Sequence, residues 1–338
     1  MLRTFWKIAG RGRLRMLLAT MRIAPPFYRV AWLAGAARAG VLERLRGGPV
    51  PLDRLAAELA PGPGGRDALD AWLRAGERIG ELACGGGGWT LRGLLARRLA
   101  DPANDDLTAM LEETATLHHA LLLDTPARLR RGELWSLADQ DGNVVARSSR
   151  VVEPVVFGAI DTLFPRTGPV RLIEIGCGSG TYIRHAASRN PALSALGLEL
   201  QADVAEAARA NLRAWGLEGR AQVEVGDVRE RAPSREFDVA TLHNNIYYFP
   251  VGERPALLAH VRRFLRPGGR LVLTTGCRGG GPTMHLLDLW AASTRGCGRL
   301  PEPAELEAQM REAGLRDVRS VRLMPGESYF AFAGDEPA

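Results

Sequence analysis

The chain has 338 residues, 46% hydrophobic and 24% charged, with a formal charge of +6. These proportions are ordinary for a soluble globular protein and exclude a disordered chain; the length accommodates two domains, or one domain with a long extension. The positive balance does not mark a nucleic-acid protein: Lys7 is the only lysine, so 43 of the 44 basic residues (44 − 1) are arginines, spread along the chain among the acids as a solvated surface is.

Cys84, Cys177, Cys277 and Cys297 form no C-x-x-C pair and no metal spacing, so they are read as reduced thiols and no metal is expected. Met1–Ile23 is basic, and Arg11, Arg13, Arg15 and Arg22 break its apolar runs. It therefore reads as neither a signal peptide nor a membrane span, and a cytoplasmic protein without stable membrane insertion is expected. A helix packing on its own or a partner subunit suits this segment.

Helical spacing over Phe27–Ala39 and Val41–Leu45 leads to the turn Gly47-Gly48-Pro49. Leu52–Leu59 is the next helix, with Asp53 in the first turn, where an acid is favoured. After the loop Pro61–Gly65, Asp67–Ile79 is amphipathic, with Leu69, Trp72, Leu73 and Ile79 on its apolar side. Leu82–Thr90 reads as two short strands around Gly85–Gly88, the wing of a winged helix. A DNA-binding role is disfavoured, because Arg66, Arg74 and Arg78 on the presumed recognition helix alternate with Asp67, Asp70 and Glu77.

Asp101–Arg131 is helical and contains His118-His119. Adjacent helical positions point about 100° apart, so the pair is not a metal site. One of the two is a candidate for a substrate pocket, as a base or a hydrogen-bond donor. Ala146–Leu163 is a further helix. The resulting domain division is 1–100, a linker over 101–152, and 153–338.

From Val170 onward strands alternate with helices, as in a doubly wound α/β domain. The run Leu172-Ile173-Glu174-Ile175 suits a buried parallel strand and turns abruptly into Gly176-Cys177-Gly178-Ser179-Gly180, with a helix following from Thr181. The spacing is G-x-G-x-G, unlike the G-x-G-x-x-G of dinucleotide sites. Ser194–Leu200 is the second strand, Ala202–Trp215 the second helix, and Ala221–Val225 and Phe237–Leu242 the third and fourth strands. Arg254–Leu265 is a helix stopped by Pro267-Gly268-Gly269, and Arg270–Thr275 is the fifth strand. Thr283–Ser293 and Ala304–Ala313 are helices, and Arg316–Leu323 with Tyr329–Ala333 form a terminal antiparallel hairpin.

Four features fall at strand ends, where open α/β sheets bind ligands. They are the glycine turn; Glu199, about 20 residues beyond it, which can accept both hydroxyls of a ribose; Asp227, which can accept from an adenine amine; and His243-Asn244 after the fourth strand. Leu200 can lie against an adenine.

EIGCGSGT, GLEL, VGDV, FDVATLHNN and LRPGGRLVL, in this order and spacing, resemble the class I S-adenosylmethionine-dependent methyltransferases over about residues 153–334, and the N-terminal region resembles the winged-helix dimerisation domain of small-molecule members. The resemblance implies a Rossmann-like sheet of seven strands in the order 3-2-1-4-5-7-6, the seventh antiparallel, behind a mainly helical N-terminal domain. It implies that Glu174, Gly176, Gly178 and Gly180 hold the methionine part of S-adenosylmethionine, that Glu199 and Leu200 hold the ribose and adenine, and that Asp227 and Val228 hold the adenine. His243 and Asn244 would lie near the methionine or sulfonium, and Arg150 could meet the cofactor carboxylate.

Methyl transfer needs alignment and sometimes a base. The His-Asp-Trp stretch of plant-like members, whose histidine is the base, is replaced here by Ile246-Tyr247-Tyr248-Phe249-Pro250. His243, Tyr247, Tyr248, His118 and His119 are the candidate replacements, and His118, Tyr247, Tyr248 and His285 the candidate substrate contacts. The expectation is methylation of O, C or N on a small apolar metabolite in bacterial secondary metabolism, by a homodimer that uses no nucleic acid. Alternatives are decarboxylation or hydroxylation on the same fold, or a winged-helix DNA-binding regulator.

Overall fold

The computed structural model describes residues 13–338, so the first twelve residues of the basic Met1–Ile23 segment lie outside the described part. The chain divides into two compact units, residues 1–123 with 140–151, and residues 124–139 with 152–338.

In the first unit, helix α1 (Arg13–Arg38) is followed by α2 (Val41–Leu45), α3 (Leu52–Leu59) and α4 (Gly65–Ile79). The hairpin β1 (Leu82–Gly85) and β2 (Gly88–Leu91) follows, with Leu82 opposite Leu91. Helices followed by a hairpin are the expected winged-helix order. Its core joins Leu33, Leu42, Leu55, Leu73 and Trp89, and Trp32 stacks on Trp72 with centroids 4.9 Å apart. Unlike the sequence reading, α1 runs unbroken through Pro25 and Pro26. The ring φ is already helical, and the freed carbonyls belong to Met21 and Arg22, which are exposed and keep water as a partner. The early part of α1 leaves Met16, Met21 and Ile23 60–72% exposed.

Helix α5 (Leu94–Leu99) and α6 (Asp105–Glu113) lead through a widened turn, Thr114–His118, into α7 (His119–Arg130). The helix expected over Ala146–Leu163 is in fact two helices, α8 (Gly142–Ser148) and α9 (Glu153–Leu163). Pro154 lies in the first turn of α9, where its missing N–H costs nothing and favours a new helix start. Asp141 caps α8, accepting from the N–H groups of Asn143 and Val144.

The second unit is built on one seven-stranded sheet. In chain order its elements are β3 (Val170–Ile175), α10 (Thr181–Arg189), β4 (Leu193–Glu199), α11 (Ala202–Ala214), β5 (Ala221–Val225), β6 (Phe237–His243), α12 (Arg254–Arg262), β7 (Leu265–Gly276), α13 (Pro282–Ser293), α14 (Pro303–Glu312), β8 (Arg316–Arg322) and β9 (Tyr329–Asp335). The strand order is β5-β4-β3-β6-β7-β9-β8, the 3-2-1-4-5-7-6 order implied by the resemblance. The β5-β4-β3-β6-β7 pairings are parallel, and β9 is antiparallel to both β7 and β8. β7 starts before Pro267-Gly268-Gly269 rather than after it, because Leu265 pairs with Phe237 and a register shift absorbs the turn.

Two apolar clusters cover the sheet, one including Ile173, Leu242, Leu273, Leu258 and Phe332, the other Leu172, Val239, Ile160, Ile183 and Leu212. Ile173 and Leu172 alternate between them, as period-two side chains on a doubly covered sheet must. Among the described residues no helix is long and apolar enough to cross a membrane.

Candidate active site

The glycine turn leaves β3 at Ile175 and enters α10 at Thr181. Gly176, Gly178 and Gly180 all have positive φ, at 66°, 52° and 79°. Gly176 is also confined: a Cβ there would lie 2.8 Å from Asn245 Nδ2. The turn is pinned to β4, since the N–H of Gly176 donates to Leu198 O at 2.7 Å and that of Cys177 to the same oxygen at 3.2 Å.

Glu199 ends β4 and closes the turn. Its Oε2 accepts from Gly178 N at 3.0 Å, and its Oε1 accepts from Gln201 N at 3.1 Å. Its own carbonyl accepts from Gly226 N at 2.9 Å, which draws the end of β5 alongside. The next residue, Leu200, is 63% exposed, an apolar surface beside a carboxylate. Beyond Gly226, Asp227 is held by Arg229, whose Nε lies 3.0 Å from both carboxylate oxygens; this ion pair keeps its carboxyl below the usual range. Val228 is buried in the core.

Glu174, one residue before Ile175, is 1% exposed, and neither carboxylate oxygen has a hydrogen-bond partner. Burial, and then the charge of Glu199, push its carboxyl well above the usual range.

On the other side of β3, β6 ends at His243, which is paired in register with Thr274 of β7. His243 Nδ1 hydrogen-bonds Thr274 Oγ1 at 2.8 Å, while the buried Nε2 has no hydrogen-bond partner. Burial lowers its pKa to about 3, so the ring is neutral near pH 7. Tyr182, on the first turn of α10, meets the ring edge-on at 4.9 Å. Asn244 turns the chain with φ 56°; its N–H donates to Thr274 O at 2.8 Å, and its Oδ1 accepts from Tyr329 Oη at 2.5 Å. Asn245 Nδ2 donates to Ile175 O at 2.5 Å, which joins this loop to the glycine turn.

The second unit thus brings Glu174, Gly176, Gly178, Gly180, Glu199, Leu200, Asp227, His243 and Asn244 to one end of β5-β4-β3-β6. Tyr247 and Tyr248 follow in the same loop, with ring centroids 5.0 Å apart, and both lie edge-on to Trp290 of α13 at 6.2 and 5.7 Å. His285, on the same helix, is exposed. His118, His119 and Arg150 belong to the first unit. There His118 Nε2 lies 3.6 Å from Glu113 Oε1 and burial lowers its pKa; His119 packs on Phe27 at 5.4 Å; and Arg150 pairs with Asp105 at 3.4 Å. Among the described residues no group of three or more His, Cys, Asp or Glu side chains is arranged for a metal ion.

Three residues absent from the sequence reading of the site take part in this network: Tyr182, Thr274 and Tyr329. Thr274 had a usable signal, a polar residue ending an otherwise apolar strand. Tyr329 had none, since only the sheet order carries it to Asn244.

Residues 172–269 match a family model described as a methyltransferase domain. Nocamycin O-methyltransferase of Saccharothrix syringae is 36% identical over 123 residues, 36% of this chain and 42% of that protein. Demethylspheroidene O-methyltransferase of Rhodobacter capsulatus is 26% identical over 191 residues, 56% of this chain and 46% of that protein. 27-O-demethylrifamycin SV methyltransferase of Amycolatopsis mediterranei is 30% identical over 181 residues, 52% of this chain and 57% of that protein. The chain spans about half the length of these curated relatives.

Among solved structures, mitomycin 7-O-methyltransferase superposes with a TM-score of 0.79 at 20% identity, covering 96% of this chain and 99% of that one. Human N-acetylserotonin methyltransferase, solved with S-adenosylmethionine, gives 0.73 at 17% identity, covering 98% and 99%. The fold is shared with these solved methyltransferases along nearly the whole chain, and residues 172–269 match the methyltransferase-domain model.

Proposed function

We propose that the chain transfers a methyl group from S-adenosylmethionine to an O, C or N atom of a small, largely apolar metabolite in bacterial secondary metabolism. The observation that carries this reading is the set of acceptors converging on the glycine turn: Glu199 at the end of β4, and the buried Glu174 with no hydrogen-bond partner at the end of β3. Such groups fit a ligand that has hydroxyls at one end and positive charge at the other. Exposed Leu200 beside Glu199 suits the face of an adenine. The methyltransferase domain match and the O-methyltransferases among the relatives support the same reading.

When bound, S-adenosylmethionine supplies an activated methyl group on a sulfonium. The chain's own part is positional. Glu199 accepts from the ribose hydroxyls while holding Gly178 in place. Asp227 keeps acceptor lone pairs for an adenine amine beside its Arg229 pair. Asn244, locked by Tyr329 and Thr274, and neutral His243 shape the methionine end. Tyr247, Tyr248 and Trp290 offer an aromatic wall to an acceptor. His243, with its pKa lowered to about 3, is a poor proton acceptor, and tyrosine is a weak base near pH 7, so the reading favours an acceptor that is already nucleophilic or loses its proton easily.

The exposed apolar residues of α1 suit a homodimer joined through the N-terminal region, in a cytoplasm that keeps the four cysteines reduced. The test has three parts: calorimetric titration with S-adenosylmethionine, transfer of labelled methyl into metabolite extracts, and light scattering of wild type beside Met21→Glu. Binding, label in an extracted small molecule, and a dimer that Met21→Glu splits are expected. No donor binding or no labelled product sinks the enzyme reading.

A further inference from the structure

Three carboxylates meet at the end of β5-β4-β3, and they are not equivalent. Glu199 already accepts two backbone N–H groups, and Asp227 is paired with Arg229. Glu174 is buried beside them with both oxygens unpartnered.

The ionisable groups that face Glu174 are Glu199 from β4, Cys177 from the glycine turn and Tyr182 from α10. From β6 its neighbour in register is Thr241, whose hydroxyl donates instead to Ile173 O. The Ile183 N–H on α10 faces the carboxyl without closing a hydrogen bond of good geometry. No described cation is among these groups. A charged carboxylate so placed is disfavoured, so burial and the charge of Glu199 favour the protonated form.

We propose that Glu174 is a proton-linked receptor for the cationic amino-acid end of the donor: the carboxyl is protonated while no donor is bound, and it gives its proton to solvent when the donor's positive charge arrives. This rests on the donor reading above. Only the O–H bond breaks, the proton passes to water or buffer, and a carboxylate–cation pair replaces a neutral acid. The raised pKa of Glu174 agrees with this order of events. The device separates charged from neutral adenosyl compounds, because only a cation draws the proton off.

The test is calorimetric titration near pH 7 in buffers of low and high ionisation enthalpy, using S-adenosylmethionine, S-adenosylhomocysteine and 5′-methylthioadenosine. About one proton is released per S-adenosylmethionine bound, and affinity rises with pH until the donor-free carboxyl ionises by itself. Release with S-adenosylhomocysteine as well identifies the ammonium as the partner, and release with S-adenosylmethionine alone identifies the sulfonium; either outcome supports the proposal. 5′-Methylthioadenosine, with neither charge, releases none. Glu174→Gln abolishes the release and weakens S-adenosylmethionine binding.

Binding of S-adenosylmethionine with a buffer-independent heat overturns the proposal and leaves the donor reading standing. The same proton release from Glu174→Gln, or release with 5′-methylthioadenosine, does likewise. Absence of any S-adenosylmethionine binding overturns the donor reading, and this proposal with it. Infrared difference spectra of the wild type give a check independent of the variant's folding: the protonated-carboxyl band disappears on donor binding, and its persistence overturns the proposal.

Discussion

Glu199 Oε2 accepts the N–H of Gly178 at 3.0 Å across 21 positions of sequence, so the residue expected to meet a ribose also holds the glycine turn in shape. One carboxylate sets two strand ends against each other, and a substitution there has two effects. Hydrogen bonds to a charged group are each worth about 1.5–3 kcal/mol. Glu199→Ala is expected to weaken S-adenosylmethionine binding by roughly 10- to 100-fold and to lower the melting temperature. Calorimetry and thermal denaturation of the purified variant measure the two separately.

Asn244 depends on Tyr329 and on its own backbone. Tyr329→Phe removes the hydroxyl at 2.5 Å from Oδ1, with an expected loss of about 0.5–1.5 kcal/mol. At φ 56°, Asn244→Ala carries in addition a left-handed backbone penalty of about 1–2 kcal/mol that Asn244→Gly avoids. Urea denaturation should therefore rank Asn244→Gly above Asn244→Ala; the reverse order would show that the unfolded-state entropy of glycine outweighs the left-handed penalty.

His243 makes the fold acid-sensitive. Its folded pKa, about 3, lies below the ordinary 6.5, so the unfolded chain binds more protons between those values. Stability is fully present above about pH 6.5 and declines as the pH falls toward 3. His243→Asn, which can keep a hydrogen bond to Thr274 and does not titrate, is expected to flatten that limb of a stability–pH curve recorded by denaturant titration.

Glu174 acts with the opposite sign. Its folded pKa is raised, so its contribution is fully present below the ordinary carboxyl value near 4.5 and is lost as the pH rises through the folded value. Donor-free Glu174→Gln is therefore expected to melt higher than the wild type, by a margin that widens with pH. Scanning calorimetry across a pH series reads this directly.

The strands and helices were legible because each strand carries its own apolar run and each helix its own period, whereas their order in the sheet came from the family resemblance. The glycine turn, Glu199 and Asp227 could be placed at strand ends because each closes a strand or follows one by one or two residues. Local signals misled where proline was concerned: Pro25 and Pro26 did not end α1, while Pro154 did begin α9. Tyr329 and Asn244 meet across 85 positions, a distance over which composition and spacing carry no information. Glu174 was visible as a residue, but its lack of a partner was not, because that depends on everything folded around it.

The position of β9 bears on how this chain is made. β8 pairs only with β9, and β9 also pairs with β7, so the sheet edge beyond β7 stays open until residues 329–335 have left the ribosome. Those same residues bring the tyrosine that fixes Asn244. A nascent chain halted in the β8–β9 turn therefore exposes the edge of β7 for aggregation and has an unlocked site loop. The site loop is locked only once the antiparallel strand beside β7 is in place.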